Sequence, residues 1–138
     1  MTLDDLPENA LLLIDTSPII YVLEEHPRHK ARFQPLFEAQ AQGRVRFATT
    51  TVALVEVMAG PLRRADEAGA RRCRAIIETW RIVALDSDIA ESAARLRASL
   101  SLRLPDAIQA ASALAINADA LVTHDRNFSR VRALRVIA

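Results

Sequence analysis

The stretch Ala10-Leu-Leu-Leu-Ile-Asp15-Thr16-Ser17-Pro18 decides how the chain folds. Its aliphatic run shows no polar alternation and stops abruptly at an acid. A short, continuous run of this kind reads as a strand buried on both faces. Ser17 then suits an N-cap and Pro18 the first helical position, so a helix is expected to about Glu25. A two-sided strand feeding a helix is the opening unit of a parallel α/β sheet. Asp15 stands at the joint between them.

Working outward, the alternation recurs. A second helix is expected over about His29 to Gln42, closed by Gly43. Arg44 to Ala48 reads as a strand, and Thr49-Thr50-Thr51 supplies caps for an apolar helix from Val52 to Arg63, loosened by Gly60-Pro61. Asp66 to Thr79 reads as a charged amphipathic helix and Ile82 to Leu85 as a third strand. Asp88-x-x-Glu91 reads as a capping box for a helix to about Leu100. Leu104-Pro105-Asp106 opens an alanine-packed helix through Ile116. Ala120 to Thr123 is a fourth strand, and Leu134 to Ile137 a short fifth at the edge. The expected class is α/β, a three-layer α/β/α sandwich around a parallel sheet of four to five strands. Ligands of such sheets gather beyond the carboxyl ends of the strands.

The 138 residues suit one domain, 1–138, with a polar leader over 1–9. Hydrophobic residues at 51% and charged residues at 25% exclude a disordered chain. No apolar run is long enough for a transmembrane helix, and the acidic, lysine-free leader is unlike a secretory signal. Cys73 stands alone, which excludes an internal disulfide or a cysteine zinc site. A cytoplasmic location and no membrane partner are therefore expected. The net charge of +1 announces no nucleic acid, although Lys30 is the only lysine among 18 basic residues. Arginine forks suit phosphate, and a coding bias toward arginine explains the same excess.

Four acids stand out by context. Asp15 follows the first strand and Asp125 lies two residues past Thr123, while Asp106 opens the alanine-rich helix. Glu56 is the only charge in Val52-Ala-Leu-Val-Glu-Val-Met-Ala-Gly60. Taken singly, Asp15, Asp125 and Asp106 have plain structural readings as a helix cap, a loop aspartate and a charge at a helix N-terminus. Glu56, alone in an apolar stretch, needs a partner. Together, Asp15, Glu56 and Asp106 are carboxylates in apolar surroundings, which are costly unless paired or bound to metal. Of the nearby cations, Arg103 and Arg126 lie close in sequence to Asp106 and Asp125. A hard divalent cation relieves the repulsion among such acids, and oxygen-only ligands suit magnesium or manganese.

These four motifs, Leu12-Leu-Ile-Asp15-Thr16-Ser17, Val55-Glu56-Val57, Leu104-Pro105-Asp106-Ala-Ile-Gln-Ala110 and Leu121-Val-Thr123-His124-Asp125, resemble a PIN-domain ribonuclease. They are most similar to the VapC-type toxins of bacterial toxin–antitoxin pairs, over nearly the whole chain after the leader. The resemblance implies an endoribonuclease that uses Mg2+ or Mn2+. Asp15, Glu56 and Asp106 match three metal-binding acids, and Asp125 a fourth, more variable one. Thr16 and Thr123 match supporting hydroxyl positions. Where relatives carry an acid before Phe128, this chain has Asn127, which contributes no charge. The resemblance also implies an RNA substrate, a homodimer and a cognate antitoxin whose C-terminal segment wraps the toxin and can push an arginine toward the acids. Ile19 to Leu23 and Phe33 to Phe37 offer apolar surface for that helix-in-groove contact, and part of it is expected to stay exposed.

Other residues carry less. His124, Arg126 and Arg130 are candidate RNA contacts beside the acids, with a solvated face as the alternative. Arg71, Arg72 and Arg74 are expected to lower the pKa of Cys73, but no histidine is positioned to make it a nucleophile. Pro27 separates His26 from His29, so no metal role is expected for them. Tyr21 and Trp80 read as packing residues. Two further readings remain open: a catalytically idle PIN scaffold that binds RNA or a protein, and a phosphoacceptor signalling domain. The second lacks a lysine near the acids.

Overall fold

The computed structural model describes residues 2–138. Its five strands form one all-parallel sheet in the order β3-β2-β1-β4-β5. They are β1 (Ala10–Ile14), β2 (Val45–Thr50), β3 (Arg81–Val83), β4 (Ala120–Val122) and β5 (Val136–Ile137). The six helices are α1 (Thr16–Leu23), α2 (Lys30–Ala41), α3 (Thr51–Arg63), α4 (Glu67–Ile77), α5 (Ser87–Leu100) and α6 (Leu104–Ala115). Single 3-10 turns occupy Leu3–Asp5 and Arg126–Arg130.

Every residue of β1 is buried, as its unbroken aliphatic run requires. Leu12 and Ile14 point into a core with Ile19, Phe33, Val57 and Ile77, from α1 to α4. Leu13 points the other way, into a core with Ile89, Ala107, Ala111 and Phe128, beneath α5 and α6. Alternate side chains of one strand thus belong to different layers. Trp80 packs edge-on against Phe37 and Phe47, in keeping with a packing role. Leu3 and Leu6 of the leader also lie against the first core.

Several boundaries depart from the sequence reading. Asp15, not Ser17, caps α1, its side chain accepting the Thr16 N–H. Pro18 sits inside the first turn, where amides have no intrahelical partner and a missing N–H costs nothing. β2 runs on through Thr49 and Thr50, and Thr50 caps α3 by accepting the Ala53 N–H. Asp86 caps α5, so Asp88 lies in its first turn and the capping box is not formed there. β5 is confined to two residues.

Candidate active site

The sheet order reverses at β1, which has β2 on one side and β4 on the other. A crevice opens at such a switch point, beyond the carboxyl ends of the strands. One cleft of about 410 Å³ there is lined by Asp15, Thr16, Glu56, Arg63, Arg103 and Asp106, among others. An adjoining hollow of about 290 Å³ shares Asp15, Ser17, Arg103 and Asp106 and adds His124, Asp125 and Arg126. All four candidate acids therefore line one continuous depression. A larger hollow of about 620 Å³ at the opposite end of the sheet is lined by Leu3, Pro7, Asn9 and Arg44, with Glu8 as its only acid.

Asp15 is the centre of the site. Its Oδ1 accepts the Thr16 N–H at 2.9 Å and Gln109 Nε2 at 3.1 Å. Its Oδ2 accepts the Thr123 hydroxyl at 2.8 Å. Burial pushes the carboxyl above its ordinary pKa range, the donors from Gln109, Thr123 and Thr16 oppose that rise, and the charge of Asp106 adds to it. A carboxylate this well supplied with donors is held in one orientation.

Asp106 is buried to 7% exposure, and Arg103 Nε donates to its Oδ2 at 3.1 Å. The nearby cation noted in the sequence, Arg103, thus pairs with this acid. Glu56 reverses the expectation of a buried acid: helical periodicity turns it outward to solvent, and it is held by the Thr16 hydroxyl at 2.9 Å. Asp125 Oδ1 accepts the Asn127 N–H at 2.8 Å, while the Asn127 side chain is not among the cleft-lining groups. His124 is not a free loop residue, since Tyr21 Oη lies 2.7 Å from its Nδ1. His26 and His29 stack beside it, so all three histidines gather with Tyr21 at one rim of the site. Arg126 reaches the depression, whereas the Arg130 guanidinium turns to the Leu100 carbonyl at the end of α5.

A model of the PIN domain family matches residues 12–134. The chain belongs to the PIN domain family. No curated relative matches it in sequence. Among solved structures, this PIN domain is similar to a chain in a toxin–antitoxin complex from Klebsiella pneumoniae, at 27% identity and a TM-score of 0.70, covering 92% of this chain and 96% of that one. It is similar in fold to a chain of VapBC2 from Rickettsia felis bound to promoter DNA, at 20% identity and a TM-score of 0.75, covering 92% and 97%. It also shares the fold of VapC20 from Mycobacterium tuberculosis, a toxin that cleaves the sarcin–ricin loop, at 18% identity and a TM-score of 0.71, covering 87% and 94%.

The donor set of this PIN domain fits a hard divalent cation, because the acids around the cleft offer only oxygen. As they stand, no three acid, histidine or cysteine side chains converge on a single metal position among the described residues. Two contributors were not singled out in the sequence: Gln109 and Arg63. Gln109 carried a signal, being the one long polar side chain in Ala107-Ile-Gln-Ala-Ala111. Cys73 lies apart from the site, and burial pushes its thiol pKa up, overriding the lowering expected from its arginine neighbours. Ile19, Phe33 and Leu36 are buried against the sheet. Ile20, Tyr21, Val22, Leu23 and Phe37 are half-buried, so part of the expected apolar surface stays open. Val55 on the cleft lining and Leu104, between the lining residues Arg103 and Pro105, are more exposed.

Proposed function

We propose that this PIN domain is the ribonuclease toxin of a type II toxin–antitoxin pair, hydrolysing RNA phosphodiester bonds. The observation that carries the reading is Asp15, a donor-locked carboxylate facing Asp106 across an open cleft at the sheet switch point. Asp15, Glu56, Asp106 and Asp125 would hold Mg2+ or Mn2+. When bound, the ion polarises a phosphodiester oxygen and acidifies a water for in-line attack.

The chain's own residues set the geometry. The Thr16 hydroxyl keeps Glu56 turned into the cleft. Thr123 and Gln109 hold the Asp15 carboxylate from two sides. Arg126 and Arg103 supply cations for the phosphates on either side of the cut, offsetting the repulsion of an RNA backbone by the acids. A cognate antitoxin would cover the apolar rim formed by Val55 and Leu104, and a homodimer fits the family reading.

The test is a melting-temperature titration with Mn2+, followed by RNA cleavage. Ion at about 100 times its dissociation constant stabilises the fold by about 2.7 kcal/mol. Wild type should gain this shift, and Asp106→Asn should lose it. Cleavage should vanish in both Asp15→Asn and Asp106→Asn while each variant still melts cooperatively. Cleavage that survives both substitutions would overturn the residue assignment. The Arg103–Asp106 ion pair favours one rival, an idle scaffold, because a cation already occupies Asp106. That rival requires no Mn2+ shift at millimolar ion.

A further inference from the structure

The hydrogen bonds behind Asp15 run in one direction. At the start of α3, the Ala53 N–H donates to Thr50 Oγ1 at 3.0 Å, so the hydroxyl already acts as an acceptor. Its own proton goes to Gln109 Oε1, 2.5 Å away. The Gln109 oxygen being occupied, its NH2 end faces Asp15, and Nε2 lies 3.1 Å from Oδ1. With the amide reversed, an amide oxygen would press against a carboxylate oxygen, and neither has a proton to share. Gln109 is fully buried, and both ends of its side chain are used.

A second chain of bonds approaches from the other side. The Asp125 N–H donates to Thr123 Oγ1 at 2.9 Å, and that hydroxyl donates to Asp15 Oδ2 at 2.8 Å. Each relay starts at a backbone amide, passes through a threonine at the end of a strand, and finishes on the same carboxylate. An ionised carboxylate has about four acceptor positions. Two donors occupy Oδ1 and one occupies Oδ2. One position is left, on Oδ2.

We infer that Gln109 is a positioning residue: through Thr50 it fixes the Asp15 carboxylate so that a cation meets it at the open position of Oδ2. The same link ties Asp15 to the first turn of α3, the helix that carries Glu56, so the two acids keep a common frame. This inference rests on the metal reading above. A Gln109 that only filled the core would be replaced by methionine of similar volume with no effect on the cleft.

The experiment measures Mn2+ affinity from the electron-paramagnetic-resonance signal of free ion, with the metal-free melting temperature recorded for each protein. Loss of an outer-shell partner of a metal ligand typically costs about 10–100-fold in affinity. Gln109→Met should fall in that range while still melting cooperatively. Thr50→Val, which touches no acid, should weaken Mn2+ as well, and Thr50→Ser, which keeps the hydroxyl, should restore it. Wild-type affinity in Gln109→Met would overturn the inference and leave the metal reading intact. Should Gln109→Met fail to fold, equal affinities in Thr50→Val and Thr50→Ser would overturn it. No Mn2+ binding by wild type would overturn the metal reading, and the inference with it.

Discussion

Arg103 sits on Asp106 through a single Nε bond, its side chain otherwise open to solvent. A bound divalent ion competes with it for the same carboxylate. Arg103→Ala should therefore tighten Mn2+ by a few-fold, as expected for an exposed pair, while raising the KM for RNA. The two effects have opposite signs, which a general loss of structure does not produce. Unchanged Mn2+ affinity in that variant would remove Arg103 from the site. Residue identities were largely legible in the sequence, since isolated acids at strand ends are conspicuous. Their environments were not. Glu56 looked buried because its neighbours in sequence are apolar, yet a helix spreads those neighbours around its whole circumference, and Glu56 faces solvent. Gln109 was the mirror case, a polar residue whose partners, Thr50 and Asp15, lie far away in sequence.

The corner between α1 and α2 brings His26, His29 and His124 around Tyr21. Burial holds the His29 pKa below its ordinary value of 6.5, helped by the charges of His124, His26, Arg28 and Arg32. The folded protein therefore takes up this proton less readily than the unfolded chain. Its contribution to stability is present above about pH 6.5 and is lost as pH falls through the lower, folded value. The metal-free melting temperature should drop on acidification from about pH 7 to pH 5, in the range where histidine titrates. His29→Gln should flatten part of that slope, and an identical slope would show that His29 contributes nothing. At α4, Asp66 caps the helix by accepting the Gly69 N–H at 2.9 Å. Asp66→Ala should cost about 1 kcal/mol in denaturant melts, with cleavage per folded molecule unchanged. Elements were legible where period and caps agreed. They drifted where several cap residues adjoin, because Thr49, Thr50 and Thr51 offer the same chemistry and only the ladder with β3 decides that Thr50 ends the strand.

The whole molecule hangs on β1, which divides two cores and contributes to both. Leu12 and Leu13 are each fully buried, on opposite faces. Leu12→Ala and Leu13→Ala should each cost about 2–5 kcal/mol and unfold the protein in one transition. Two separate transitions would mean that the layers fold independently. The alternation of strands and helices made the three-layer arrangement readable. Beyond the edge place of β5, strand order was not readable, because it depends on which distant segments flank β1, and pairing partners leave no mark in a local pattern. That order also bears on how the protein is made. β1 leaves the ribosome well before β4, yet Leu11 waits for Asp119, and Asp15 for Thr123, each separated by 108 positions. At about 5–20 residues added per second, several seconds pass between the two ends of that contact. A nascent chain holds Asp15 without the Thr123 hydroxyl that orients it, so the cleft is not assembled until translation has passed residue 123.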